Sequence, residues 1–354
     1  MEGDALMLPL PRFRYESPRR LADALATLGA ARGQAADHGD VSARRGPVLP
    51  VAGGTDLIPN LKHDLFAPEV LVDLTRLEEE RLRGVRDERD GLHVGALTPL
   101  SQAAGDALLG AYYPALARGY SLVASPQIRN MGTVGGNLCL DTRCTYYNQT
   151  AFWRQSLGYC LKREGTRCHV VPGGTRCVAA SSSDGATLLT ALGAEAHVES
   201  TDGDRWVPVE SFFVGEGRRN LQVAAHELVT EVRLPRPTAG LTMAYEKLRP
   251  RNAIDFPMLS VAVALEREPS GACRQLRVVV AALGAKPRLV AGLGTLAGKT
   301  IDEGHMAQIA EAAYKQCHPL TNIAFDTEWR HDMVPVYVRR ALTAALSANG
   351  RAHA

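Results

Sequence analysis

Hydrophobic positions follow helical spacing in some parts of the chain and form short apolar runs in others. Leu21, Leu25 and Leu28 lie at helical spacing after Ser17-Pro18, a favourable helix start. Later helical patterns occupy residues 306–314 and 333–346. Apolar runs bounded by turn residues predict strands, at residues 48–51, 70–74, 92–96, 228–234, 258–265 and 276–283. Residues 194–200 and 206–209 flank a Thr-Asp-Gly-Asp turn and predict a hairpin. The chain is therefore expected to mix helices and strands.

Composition excludes several classes of protein. Of the 354 residues, 45% are hydrophobic and 22% charged, and the net charge is +2, all ordinary for a globular protein. The sequence has no block of Lys and Arg residues of the kind that indicates nucleic-acid binding. The sequence contains no run of about 18 apolar residues, so no membrane span is predicted. The acidic residues and missing apolar segment near the start argue against a signal peptide, so a cytoplasmic location is expected.

Two glycine pairs lie in or after apolar segments. One is in residues 51–56, Val-Ala-Gly-Gly-Thr-Asp, and the other in residues 132–137, Gly-Thr-Val-Gly-Gly-Asn. Consecutive glycines let backbone N–H groups surround a phosphate oxygen, although tight turns use the same residues. Neither segment is a G-x-G-x-x-G or P-loop motif. Two such turns are compatible with a dinucleotide diphosphate.

Five of the seven cysteines fall between residues 139 and 177. Cys144, Cys160, Cys168 and Cys177 have 15, 7 and 8 residues between them. Four thiolates can hold an iron–sulfur cluster or a zinc ion, but zinc sites usually contain closely spaced cysteine pairs. Spacing alone leaves a cluster, zinc and free thiols open. Cys139 lies beside the second glycine turn and is interpreted as a small packed residue.

Two charged residues have both a structural and a functional interpretation. Asp184 follows three serines at a predicted helix start, where a carboxylate either caps the helix or binds a ribose or adenine edge. Lys247 lies in a Tyr-Glu-Lys-Leu run and is expected at the surface.

The motifs together resemble a known family. The segments PVAGGTDLIPNL, SPQIRNMGTVGGNLC, SSSDGATLLTALGA and YEKLRPRNAIDFPMLSVAVAL, in this order, are similar to the flavin-binding subunits of molybdenum hydroxylases. The resemblance covers residues 13 to 346. It implies an α+β fold, with a two-lobed FAD-binding domain and a C-terminal α+β domain of a three-stranded sheet with helices. The implied domains are residues 1–62, residues 63–237 and residues 238–354.

The resemblance also implies a set of FAD contacts. The first glycine turn is expected to hold the diphosphate and the second to form the opposite wall. Asp184 is expected at the adenosine, Val229 beside it, and Lys247 near the isoalloxazine, while Val123 stands where relatives place an aromatic residue. The complete implied set is Val51, Ala52, Gly53, Gly54, Thr55, Asp56, Leu57, Val123, Thr133, Gly136, Asn137, Asp184, Val229 and Lys247.

The segment 139–177 resembles the cluster loop of the 4-hydroxybenzoyl-CoA reductase branch, an insertion that most of the family lacks. The resemblance implies a [4Fe–4S] cluster on Cys144, Cys160, Cys168 and Cys177, in a loop that projects from the second lobe. It also implies a heterooligomer with a molybdopterin-binding large subunit and a small [2Fe–2S] subunit. Substrate chemistry is expected on a partner, so no residue of this chain is assigned as catalytic.

The implied function is electron transfer. Electrons would run from a ferredoxin-like donor through the cluster and FAD towards the [2Fe–2S] and molybdenum centres, for reductive dehydroxylation of an aromatic acyl-CoA. One alternative is the flavin subunit of an oxidising hydroxylase of the aldehyde or purine dehydrogenase type. Another is a non-catalytic nucleotide-binding module stabilised by zinc.

Overall fold

The computed structural model describes residues 8–30 and 47–348. The N-terminal part is a small parallel sheet with strand order β1-β3-β2 and two helices. Its elements are β1 (Arg14–Glu16), α1 (Leu21–Ala30), β2 (Val48–Val51), α2 (Leu57–Lys62) and β3 (Val70–Asp73). The central strand β3 lies beyond the lobe boundary expected at residue 62, so residues assigned to the second lobe complete the first sheet.

The middle part is a five-stranded antiparallel sheet packed against short helices. Strand order is β4-β5-β8-β6-β7, and the predicted hairpin joins β6 to β7 through a two-residue turn. The strands are β4 (Val85–Glu88), β5 (Gly91–Gly95), β6 (Glu195–Ser200), β7 (Gly203–Pro208) and β8 (Leu228–Leu234). The helices are α3 (Leu100–Gly105), α4 (Ala107–Tyr112), α5 (Pro114–Ser121), α6 (Pro126–Met131), α7 (Val134–Leu138), α8 (Ala151–Ser156), α9 (Asp184–Ala191) and α10 (Val209–Phe212).

The C-terminal part packs two helices against an antiparallel sheet. The three long strands agree with the three-stranded sheet that the resemblance implied, but a two-residue edge strand extends the sheet to four. The elements are β9 (Leu241–Leu248), β10 (Leu259–Arg267), β11 (Cys273–Ala281), β12 (Arg288–Leu289), α11 (Glu303–Gln316) and α12 (Thr327–Ser347). No helix in the described part of the chain is long and apolar enough to cross a bilayer.

The cysteine segment is packed into the molecule, so the expectation that it projects from the second lobe is wrong. Tyr147 is fully buried and shares an apolar core with Leu61 of α2 and Leu71 of β3. Buried Arg154 donates from Nη2 to the carbonyls of His63 and Asp64 at 2.7 and 2.9 Å, at the end of α2. These contacts satisfy the carbonyls of the turn that follows the helix.

The same segment is also tied to the C-terminal part. The N–H of Thr145 donates to the carbonyl of Asn322 at 2.7 Å, and the Asn322 side chain donates to the carbonyl of Val178 at 2.6 Å. Asn322 is fully buried. The segment therefore contacts the N-terminal and C-terminal parts as well as the one from which it emerges.

Replacing Arg330 by Met is expected to lower the free energy of unfolding by about 2–4 kcal/mol. The fully buried guanidinium of Arg330 donates to the carbonyls of Met258, Ala282 and Leu320 at 3.0–3.2 Å. Methionine leaves these carbonyls unsatisfied. Urea unfolding measures the loss, with exposed Arg339→Met on the same helix as the control. Equal midpoints for the two variants would contradict the prediction.

Candidate functional site: a flavin cavity beside a four-cysteine cavity

The two glycine turns meet backbone to backbone. A Cβ atom at Gly53 would lie 1.7 Å from the carbonyl oxygen of Met131, the last residue of α6. Gly54 adopts a φ of +68°, in the left-handed region that glycine enters without strain. Both positions therefore require glycine, the first for close approach and the second for its backbone angle.

The first turn presents a row of backbone donors. The N–H groups of residues 53 to 56 have no acceptor among the described residues, and all four residues line one large cavity. Consecutive free N–H groups form a concavity that binds anions. The turn therefore fits the diphosphate of a dinucleotide on the geometry of this chain.

The second turn is held rigid by side-chain hydrogen bonds. Thr133 caps α7 by accepting from the N–H of Gly136 at 3.1 Å. Asn137 Oδ1 accepts from the Ser183 hydroxyl and from the N–H of Gly185, each at 3.0 Å. These bonds fix α7 against the start of α9, so that one wall of the cavity is set by buried polar contacts.

The cavity measures about 450 Å³, within the range of cofactor sites. Thirteen of the fourteen residues expected around FAD line it, and Lys247 is the exception. Those thirteen are Val51, Ala52, Gly53, Gly54, Thr55, Asp56, Leu57, Val123, Thr133, Gly136, Asn137, Asp184 and Val229. Cys139 also lines it, on the side of the second glycine turn.

Lys247 and Asp184 form a buried ion pair. The Nζ of Lys247 lies 2.9 Å from Asp184 Oδ1 and donates to the carbonyl of Leu122 at 3.1 Å, while the Tyr245 hydroxyl donates to Asp184 at 2.6 Å. Burial raises the pKa of Asp184, and the nearby ammonium opposes this rise. The expectation of a surface lysine is wrong, because the side chain of Lys247 is only 1% exposed. Its charge is balanced beneath the cavity wall.

Arg143 is a cavity residue that the sequence did not reveal. Its guanidinium pairs with Asp56 of the first glycine turn and lies 4.5 Å from the centre of the Phe256 ring. Arg143 and Phe256 both line the cavity. The only sequence signal was the position of Arg143 next to a candidate metal ligand. Its role became visible because folding brings Asp56, 87 residues away, into contact.

The four candidate ligands surround a second, small cavity. Cys144, Cys160, Cys168 and Cys177 all line it, whereas Cys139 does not. Burial raises the pKa of Cys144 to about 12 and that of Cys177 to about 11. Such thiols remain protonated and unreactive at neutral pH unless a bound metal takes the thiolate. Arg143 lines the flavin cavity and the adjacent Cys144 lines this one, so the two cavities are neighbours.

The cysteine sulfurs are spread around their cavity. Among the described residues, no three cysteine Sγ atoms lie within 4.8 Å of one another. Four sulfurs around one tetrahedral zinc ion lie about 3.8 Å apart, since each Zn–S bond is about 2.3 Å long. The four sulfurs are therefore not gathered as closely as the ligands of one tetrahedral zinc ion.

Comparison with known proteins places the chain in a family. Residues 11–237 match the FAD binding domain in molybdopterin dehydrogenase, and residues 243–345 match the CO dehydrogenase flavoprotein C-terminal domain. The chain belongs to the molybdopterin dehydrogenase flavoproteins. FAD is thus the cofactor that the matched domain binds, and the predicted fold class, an FAD-binding domain followed by a C-terminal flavoprotein domain, is confirmed.

Similar proteins extend over most of this flavoprotein. The carbon monoxide dehydrogenase medium chain of Hydrogenophaga pseudoflava is 28% identical over 340 residues, covering 96% of this chain and 98% of the relative. The aldehyde oxidoreductase FAD-binding subunit of Escherichia coli is 29% identical, covering 78% and 85%. A solved structure of the H. pseudoflava carbon monoxide dehydrogenase gives a TM-score of 0.76 at 26% identity, over 95% of this chain and 98% of that one.

Replacing Gly53 by Ala is expected to weaken FAD binding by about tenfold or more, since the added methyl group must push the Met131 carbonyl away. Flavin absorbance per purified chain and titration of the apoprotein with FAD measure the effect. Gly110→Ala is the control, because a Cβ atom there meets nothing within 4 Å. Full flavin content and wild-type affinity in Gly53→Ala would show that the close contact is dispensable.

Proposed function

We propose that this flavoprotein is the FAD and [4Fe–4S] electron-transfer subunit of a molybdenum enzyme of the 4-hydroxybenzoyl-CoA reductase type. It would act in the cytoplasm and accept electrons from a low-potential, ferredoxin-like donor. The electrons would pass towards [2Fe–2S] and molybdenum centres on partner subunits, where an aromatic acyl-CoA is reductively dehydroxylated. Substrate chemistry is thus assigned to a partner, and the residues of this chain bind and position cofactors.

The observation that carries the proposal is the convergence of Cys144, Cys160, Cys168 and Cys177 on one cavity. Among the described residues no three of the sulfurs lie within 4.8 Å of one another, which favours a cluster of several metal atoms over a single zinc ion. Packing of the segment against α2 and Asn322 supplies the rigid surroundings that ligands need. The zinc-stabilised module is therefore the weaker alternative.

The residues of the first cavity are assigned roles towards FAD. The N–H groups from Gly53 to Asp56 would hold the diphosphate, with Val51, Ala52 and Leu57 completing that wall, and Thr133, Gly136 and Asn137 forming the opposite one. Asp184 would face the adenosine with Val229, and Val123 would pack on the flavin side. Lys247 would act through Asp184, since its Nζ is held at that carboxylate. FAD supplies the exchange between one- and two-electron steps.

The names of the relatives support membership of a larger assembly. They include medium chains of carbon monoxide dehydrogenase and FAD-binding subunits of nicotinate, aldehyde and xanthine enzymes. These are components of complexes. A molybdopterin-binding large subunit and a small [2Fe–2S] subunit are the partners proposed for this chain.

The same names favour a second candidate. The relatives described above are dehydrogenases or oxidoreductases acting on carbon monoxide, nicotinate, aldehydes or xanthine. In an oxidising hydroxylase of this kind, electrons would leave this subunit for an acceptor. The flavin cavity fits both directions, so the four-cysteine cavity is what favours the reductase type.

The purified chain is expected to contain about four iron atoms and no zinc. Cys160→Ser should remove most of this iron and the visible cluster absorbance but leave FAD bound, because Cys160 lies outside the lining of the flavin cavity. Elemental analysis and flavin quantification measure the two cofactors. Cys139→Ser is the control and should keep the iron, because Cys139 lines the flavin cavity. One zinc ion and no iron in the wild-type chain would refute the cluster.

Activity of the holoenzyme separates the two functions. With a reduced low-potential dye and 4-hydroxybenzoyl-CoA, turnover is expected to exceed that with aldehydes or purines and an oxidant by at least about tenfold. The assay uses the complex purified with its partner subunits, and product is measured by chromatography. Turnover only with an oxidant would assign the subunit to an oxidising hydroxylase.

A further inference from the structure

A lysine ammonium is buried beside the four cysteines. Lys162 is 2% exposed and lines the same cavity as the candidate ligands. Its Nζ donates to Asp141 Oδ1 and the carbonyl of Thr142 at 2.9 Å each, and to the Thr142 hydroxyl oxygen at 2.6 Å. The Tyr147 ring centre lies 4.4 Å from Nζ. A lysine in this position is held rigidly, unlike most lysines of a protein surface.

The hydrogen bonds identify the charged form of this lysine. The Thr142 hydroxyl donates its own proton to the carbonyl of Gly217 at 2.8 Å, so its oxygen accepts from Lys162. With Asp141 and the Thr142 carbonyl, three acceptors face Nζ, which matches the three protons of an ammonium. The Asp141 carboxylate, 2.9 Å from Nζ, balances the charge of this buried ammonium.

The charge of Lys162 reaches the cysteines, although it is paired with a carboxylate. Lys162 lines the cysteine cavity, whereas Asp141 lies outside the lining. Burial raises the pKa of Cys144 and Cys177, and the Lys162 ammonium opposes the rise at both thiols. The positive end of the ion pair is therefore the end that acts on the ligands.

We propose that Lys162 is a positioning residue that raises the reduction potential of the cluster bound by the four cysteines. The inference rests on the proposed function. A [4Fe–4S] core with four thiolates carries two negative charges when oxidised and three after accepting one electron from the external donor. A fixed cation nearby stabilises the more negative state most, and low local polarity strengthens the interaction.

Exposed basic residues of the same segment cannot replace Lys162. Arg167 and Arg176 are exposed, so solvent and salt screen their charges. Buried Arg154 directs its guanidinium to carbonyls at the end of α2 and lies outside the cavity lining. Lys162 is the only buried Lys or Arg among the described residues that line the cysteine cavity.

The test is the midpoint potential of the cluster in the full chain with FAD bound, followed by EPR during redox titration. Lys162→Met keeps the length of the side chain and removes its charge, and should shift the cluster potential to a more negative value. Lys162→Arg keeps the charge and should remain near wild type. Arg167→Met, which removes an exposed charge from the same segment, should shift the potential less. The FAD potential of each variant serves as an internal reference.

A second variant keeps the test decisive if Lys162→Met loses its iron. Lys162→Met leaves Asp141 as a buried carboxylate without its cation, which can destabilise the segment. The double variant Lys162→Met/Asp141→Asn removes both charges and should bind iron with a potential still below that of wild type. An unchanged cluster potential in either iron-loaded variant overturns the proposal. Loss of iron from both also overturns it and makes Lys162 a folding residue. Absence of iron from the wild-type chain is a separate outcome that rejects the proposed function itself.

Discussion

The site depends on one backbone contact, that of Gly53 with the carbonyl of Met131. This contact joins the turn after β2 to the end of α6, and therefore joins the N-terminal sheet to the helical layer of the second part. Any side chain at Gly53 would separate the two glycine turns. The ion pair between Asp56 and Arg143 crosses the same junction from the side of the cysteine segment. The proposed diphosphate site is thus a product of packing between two parts, and neither glycine turn contains it alone.

The cysteine segment makes that junction rigid. It is anchored to α2 by Arg154 and Tyr147, and to the C-terminal part by Asn322. Two consecutive residues of the segment line different cavities. Arg143 lines the flavin cavity and Cys144 lines the cysteine cavity. Because adjacent residues line the two cavities, the cavities lie next to each other at this point of the chain. This arrangement would suit the proposed pair of cofactors that exchange electrons.

Local patterns predicted the features that are local in the fold. The glycine turns, the β6–β7 hairpin and the convergence of four cysteines depend on residues close in sequence or alike in chemistry. Lys247 was misjudged because its partner Asp184 lies 63 residues away, and a Tyr-Glu-Lys run has the pattern of an exposed strand. The docking of the cysteine segment was missed for the same reason, since Arg154 meets carbonyls 90 and 91 residues away. Pairing between charged groups that are far apart in the sequence produces no regular sequence pattern from which it could be predicted.

The charges of the cysteine segment divide between two tasks. Residues 139–177 contain six basic and two acidic residues, an excess of four positive charges. The proposed cluster, being negatively charged, would account for a positive surrounding, but only a buried charge would act on it at close range. Lys162 has that position, whereas exposed Arg167 and Arg176 face solvent. In the proposed function, exposed arginines would attract an acidic partner through long-range steering, and the buried ammonium would affect the energy of the electron once it has arrived. The burial of each cation therefore determines whether it acts on association or on reduction.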